Sequence, residues 1–228
     1  MTKSYDVWWQ KGQESDDDMA RDHQEAWERT IEMLDTSDIK GKTILDVGCN
    51  QGGFLRKLYD TTPFKEGVGI DLARLSLEKA ETLKGERPLT YYLTDKPQET
   101  NRTFDTAVST SVLYLIEDIP QHAQDLKEVL KPGGVYYASF ADLTNNPSRQ
   151  FMDDTINQYG ATPSQNHSLK HIVDSFVDAG FEVAVMKEPV PDVIDLTHYS
   201  DFYLSPNDYL QTLYEESFLI KASVKEGI

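Results

Sequence analysis

Apolar residues recur along this chain in two alternating rhythms. Short, nearly continuous apolar runs at Thr43–Val47, Gly67–Ile70, Leu89–Leu93, Phe104–Thr110, Val135–Phe140, Phe181–Met186 and Ser217–Val224 read as strands. Between them, apolar positions spaced three and four apart predict helices over Phe54–Tyr59, Ala73–Lys84, Ile119–Leu130 and Ser168–Ala179. Gly180 stands where a C-cap glycine would stop the last of these, and Lys131-Pro-Gly-Gly134 predicts a turn. Strands apolar on both faces and alternating with helices predict an α/β fold. The expected core is a doubly wound, mostly parallel, seven-stranded sheet covered on both sides.

Before this alternation, Met19–Leu34 predicts a helix, with Asp16, Asp17 and Asp18 at its positive N-terminal end and Tyr5, Trp8 and Trp9 ahead of it. Late in the chain, residues 142–167 and 189–216 break the rhythm with polar and aromatic stretches, as inserts that build binding walls do. Neither a repeat nor a Pro/Gly/Ser linker divides the 228 residues, so residues 1–228 are expected to form one domain.

Composition narrows the function. An apolar share of 39% together with 13 glycines belongs to a folded chain and argues against disorder as the main state. Against 22 Lys and Arg stand 39 Asp and Glu, a net charge of −17 that repels phosphate backbones; no general nucleic-acid binding is expected. Cys49 is the only cysteine, which excludes an intrachain disulfide and a cysteine-based zinc site, and no metal is expected. No signal core opens the chain and no run approaches the roughly 18 apolar residues of a membrane span, so the expectation is a cytoplasmic protein without membrane contact.

The chemistry is concentrated in Ile44-Leu-Asp-Val-Gly-Cys-Asn-Gln-Gly-Gly-Phe54. A buried strand that enters a glycine-rich turn and then a helix lines a cleft with backbone N–H groups. Gly48 lets a ligand approach the backbone, and Gly52 and Gly53 permit the turn. Asp71, closing the next strand, can accept hydrogen bonds from both ribose hydroxyls. The glycines alone also fit a degraded dinucleotide fingerprint, which keeps an NAD(P)-dependent oxidoreductase as an alternative. Asp46 opposes it: a carboxylate at this place is awkward beside a pyrophosphate and suits an ammonium and a sulfonium, as in S-adenosylmethionine.

Ile44–Gly52 resembles the first motif of the class I S-adenosylmethionine-dependent methyltransferases, and the small-molecule members in particular. Gly69-Ile-Asp-Leu72 resembles their ribose-binding strand end, and Asp95, closing Tyr91-Tyr-Leu-Thr-Asp, their adenine-binding acid. Phe104-Asp-Thr-Ala-Val-Ser109 and Leu130-Lys-Pro-Gly-Gly134 follow in the same order. The resemblance implies a Rossmann-like methyltransferase fold, with residues 1–36 as a helical lid, 37–141 as the cofactor-binding core, and the inserts 142–167 and 189–216 on the substrate side. It implies S-adenosyl-L-methionine as cofactor, held by Asp46, Gly48, Asn50, Gly52, Asp71, Leu72, Asp95 and Ser109, and methyl transfer to oxygen or nitrogen of a small-molecule acceptor. A non-catalytic cofactor-binding protein on the same fold is the further alternative.

Two departures from the pattern matter. Asn50 replaces the middle glycine of the first motif, and asparagine tolerates left-handed backbone better than most residues. Ser111 and Leu115 stand where many relatives carry Glu and His, which leaves His23 and Tyr114 as catalytic candidates. Tyr5, Trp9, His198 and Tyr199 are the acceptor-site candidates.

Overall fold

In the computed structural model, which describes residues 4–11, 21 and 23–225, the first strand β1 (Thr43–Val47) is buried on both faces. Period-two alternation sends Ile44 to one side and Leu45 and Val47 to the other, so both sides need a covering layer. Parallel partners flank it: β2 (Glu66–Asp71) and β3 (Leu89–Leu93) on one side, β4 (Phe104–Ser109) and β5 (Leu130–Ala141) on the other. β6 (Phe181–Lys187) and β7 (Ser217–Val224) complete a seven-stranded sheet of order β3-β2-β1-β4-β5-β7-β6, in which β7 alone runs antiparallel to its neighbours. The order reverses between β1 and β4, and it is at such a switch point that open α/β sheets form their ligand crevice.

One face is covered by α1 (Gln24–Met33) and α3 (Gly53–Thr61), with α2 (Thr36–Ile39) between them in sequence; Phe54, Leu55 and Leu58 of α3 pack with Ile44, Val108 and Tyr137. Each such side chain contributes about 1.5–3 kcal/mol on burial. α4 (Arg74–Leu83) leads from β2 to β3 and packs on β3. The opposite face is covered by α5 (Ile119–Val129) and α7 (Leu169–Asp178), where Ile119, Leu126, Ile172 and Phe176 meet Leu45 and Tyr136. The helix α1 begins at Gln24; the expected start at Asp16–Asp18 and Met19 lies outside the described residues.

The Lys131-Pro-Gly-Gly134 stretch differs from its sequence reading. It is carried inside β5 as a bulge, with the pairing register slipping between Phe104 and Thr106. A Cβ on Gly134 would meet the carbonyl oxygen of Lys131 at 2.8 Å and that of Asp105 at 3.1 Å, so only a residue without a side chain lets the two backbones come this close.

The first insert contains α6 (Arg149–Tyr159), and the second contains a 3₁₀ turn at Tyr199–Asp201, α8 (Pro206–Gln211) and one π-helical turn at Thr212–Glu216. They are joined by a buried polar cluster. Asn146 Nδ2 donates to Glu216 Oε2 at 2.8 Å and to the Asp208 carbonyl at 3.0 Å, and Ser148 donates to the Asp208 carboxylate.

Ahead of α1, residues 4–11 form an extended strap. At one end the Tyr5 N–H donates to the Leu72 carbonyl (3.0 Å) and the Arg74 N–H to the Tyr5 carbonyl (2.8 Å). At the other, the Gln10 N–H donates to the Tyr159 carbonyl and the Ala161 N–H to the Trp8 carbonyl, both at 2.8 Å. The strap thus ties the end of β2 to the first insert. Among the described residues no helix is long and apolar enough to cross a membrane.

Candidate functional site

A cavity of about 530 Å³ opens at the carboxyl ends of β1, β2 and β4, beneath the strap. Its floor is the glycine-rich turn. The chain leaves β1 through Gly48 at φ +75°, and a Cβ there would meet Val112 at 2.6 Å. Asn50 has φ +46°, the left-handed backbone that asparagine tolerates, and Gly52 at φ +66° caps α3. The turn is locked to β2: the Asn50 N–H donates to Asp71 Oδ2 and the Ala73 N–H to Asp71 Oδ1, both at 2.8 Å. Both oxygens of Asp71 are therefore oriented at the edge of the cavity.

Asp46 shares its face of β1 with Ile44 and is 1% exposed. Its Oδ2 has no hydrogen-bond partner. Burial, helped by the nearby charge of Asp71, pushes its carboxyl up to about 8. A buried carboxylate left in this condition is completed by a cation or a hydrogen-bond donor from a ligand.

Six of the expected cofactor residues meet on this cavity: Asp46, Gly48, Asn50, Asp71, Leu72 and Asp95. Two do not line it. Gly52 backs onto the Tyr91 ring, which a Cβ would strike. Of Ser109 and Thr110, one of which was expected to face the cleft, Thr110 lines it, whereas strand alternation turns Ser109, with Ala107, into the α5–α7 core, where it is fully buried and its hydroxyl bonds that of Tyr136. The Tyr136 hydroxyl also meets His122 Nε2 at 3.2 Å. His122 lines the cavity although no sequence pattern singled it out, and burial lowers its imidazole to about 4.

Both catalytic candidates, His23 and Tyr114, line the cavity. Burial raises the Tyr114 phenol, with Tyr5 adding to the shift, so it stays neutral at physiological pH. Among the acceptor-site candidates, Tyr5 lines the cavity and Trp9 does not; its neighbour Trp8 does. The pairing of the strap with Gly160 turns Trp9 outward, against Tyr159 (ring centroids 5.7 Å apart) and Phe202 (5.8 Å). His198 and Tyr199 sit at the 3₁₀ turn of the second insert and are not among the lining residues. That insert reaches the cavity only at second hand, through Phe202 behind Trp9. The first insert contributes Thr162, Pro163 and Gln165 directly.

Trp27 was legible only as a core position of its helix. It lies over Gly53, where a Cβ would strike its ring, and meets Phe54 edge-on at 6.5 Å. Among the described residues the lining carries six carboxyl groups, Asp46, Asp71, Asp95, Glu117, Asp118 and Asp125, against the one lysine Lys96 and no arginine. Such a site attracts cationic groups and hydrogen-bond donors and disfavours polyanions.

Residues 19–184 match a family described as a methyltransferase domain. A tRNA U34 carboxymethyltransferase of Hydrogenovibrio crunogenus is 34% identical over 117 residues, covering 47% of this chain and 34% of that protein. A malonyl-[acyl-carrier protein] O-methyltransferase of Anoxybacillus flavithermus is 28% identical over 105 residues, covering 45% of this chain and 40% of that one. The matched part is thus about a third to two fifths of the length of these curated relatives. In fold, a chain of the complex between the Haloferax volcanii Trm112 methyltransferase activator and a putative methyltransferase is similar with a TM-score of 0.75 at 19% identity, over 92% of this chain and 94% of that one. With the seven-stranded order, the glycine turn under the cleft and the family match over most of its length, the chain belongs to the class I S-adenosylmethionine-dependent methyltransferases.

Proposed function

We propose that the protein transfers a methyl group from S-adenosylmethionine to an oxygen or nitrogen of a small-molecule acceptor. The observation that carries the reading is the roofed acidic cavity: the strap closes it from above, and Lys96 is the one cation among its described lining residues. An RNA acceptor, as in the tRNA-modifying relative, is opposed by this lining and by the net charge of −17.

The donor set suits the cofactor. Asp46, with its orphaned oxygen, would face the ammonium; Asp71 would hold the ribose hydroxyls, and Asp95 the adenine amino group. Gly48 and Asn50 would present backbone to it. When bound, the cofactor supplies a methyl group already activated by a sulfonium. Tyr5 and Trp8 exclude water by roofing the cleft, and the side chains opposite hold the acceptor in line; alignment and exclusion of this kind lower a barrier by several kcal/mol. Tyr114, kept neutral, can donate a hydrogen bond to the acceptor but is no base. The neutral His122 is engaged by the Tyr136 hydroxyl below the cavity. Transfer therefore depends on positioning, and His23, the other catalytic candidate, lines the same cavity.

The test is to supply S-adenosylmethionine labelled in its methyl group together with either a dialysable small-molecule extract or total tRNA. Label is expected in the dialysable fraction. Label confined to tRNA or to protein overturns the small-molecule reading.

A further inference from the structure

The part of the cavity wall formed by the strap, α1 with His23 at its start, residues 110–116 of the loop after β4 and the first insert is rich in rings. Tyr5, Trp8, Trp27 and Tyr114 contribute to it, and none of its described residues is a lysine, an arginine or a carboxylate. Lys96 belongs to the other end, next to Asp95 after β3. Glu117 and Asp118 lie exposed farther along, where the Asp118 carboxylate caps α5 by accepting from the Gln121 N–H at 2.9 Å. An anionic acceptor group would thus be stripped of water among rings with no lysine or arginine to pair with.

Trp8 adds the polar feature. Its side chain is 9% exposed and lines the cavity, and its indole Nε1 is buried without a hydrogen-bond partner. An indole nitrogen only donates, so what satisfies it is a lone pair, and a cationic head offers none. The ring is held in place: it stacks on Trp9 at 5.4 Å, and its backbone carbonyl accepts from the Ala161 N–H at 2.8 Å. We propose that this end of the cavity takes an uncharged, flat, ring-bearing acceptor, seated among Tyr5, Trp27 and Tyr114 and fixed by an oxygen or nitrogen lone pair on the Trp8 indole N–H. Trp8 is then a specificity-determining residue. The inference rests on the methyltransferase reading of the cavity and names the acceptor class for it.

The test is calorimetry on protein saturated with S-adenosylhomocysteine, using ligands that share one ring system: 2-naphthol, 2-naphthoate, 2-naphthylmethylammonium and 2-methylnaphthalene. 2-Naphthol is expected to bind about tenfold tighter than each of the other three, as one buried hydrogen bond allows. In Trp8→Phe its advantage over 2-methylnaphthalene disappears while 2-methylnaphthalene itself keeps its affinity, a coupling that general loosening of the strap would not produce. Tightest binding by either charged ligand, no binding by any of the four, or an advantage that survives Trp8→Phe overturns the inference. Failure of S-adenosylhomocysteine itself to bind is a different result: it overturns the cofactor reading, and this inference falls with it.

Discussion

At the scale of single residues, Asp46 carries the sharpest consequence. Its ordinary carboxyl value of 3.8 is raised to about 8 by burial and by Asp71. Below about pH 4 the native and unfolded states are both protonated here. Between about 4 and about 8 the native protein keeps a proton that the unfolded chain has lost, so Asp46 makes native stability decline as pH rises through that window. Thermal unfolding of the ligand-free protein is therefore expected to show a shallower loss from pH 5 to pH 8 in Asp46→Asn than in the wild type. Equal slopes would mean that this carboxyl is already charged. An ammonium bound beside Asp46 reverses the preference and favours the carboxylate, so cofactor binding near pH 6.5 is expected to release protons, read from calorimetry in buffers of different ionisation enthalpy.

Gly48 gives a second test at this scale. Its φ of +75° and the 2.6 Å approach of Val112 to a notional Cβ act together, and Gly48→Ala is expected to cost roughly 2 kcal/mol, or about 4–8 °C in melting temperature. An unchanged melting temperature would show that Val112 moves aside freely. Trp8 and Trp9 show where residue-level reading of sequence stops. Both are large aromatics in one extended segment, and which of them faces the cavity is decided by the pairing of the strap with Gly160, a contact 151 residues away in sequence.

At the scale of elements, the sheet was readable because its strands are apolar on both faces: β1, β3 and β7 have the limits that their apolar runs indicate. The residues at strand ends inherited that clarity, which is why Asp46 and Asp71 could be placed on one cleft from the sequence, with Asp95 joining them through the methyltransferase resemblance. Ser109 could not, because its direction depends on which face of β4 meets Tyr136. The bulge in β5 was hidden too: Lys-Pro-Gly-Gly reads as a turn, and only its neighbour β4 makes it a strand. The second insert is aromatic and sits behind the strap, a relation set by tertiary packing alone. For the strap, Trp9→Ala removes the contacts with Tyr159 and Phe202. Amide exchange at Gln10 and Ala161 is expected to speed up about tenfold, while β1 amides, opened only by global unfolding, stay protected. Unchanged exchange at Ala161 would show that backbone pairing alone holds the strap.

At the scale of the molecule, an acidic surface, an acidic cavity and a roof tied to both banks agree with one another. The net charge of −17 disfavours polyanions, and the six carboxyl groups of the described lining favour a ligand that is cationic at one end and rich in hydrogen-bond donors at the other. The central claim is that this cavity holds S-adenosylmethionine through Asp71 at the end of β2. Calorimetric titration of the wild type and of Asp71→Ala with S-adenosylmethionine, with NADH as the competing ligand, tests it directly. One S-adenosylmethionine per chain is expected, with affinity falling at least about 30-fold in Asp71→Ala, the scale of two charge-assisted hydrogen bonds, and no heat from NADH. Binding of NADH in place of S-adenosylmethionine, or S-adenosylmethionine binding indifferent to Asp71→Ala, would contradict the account.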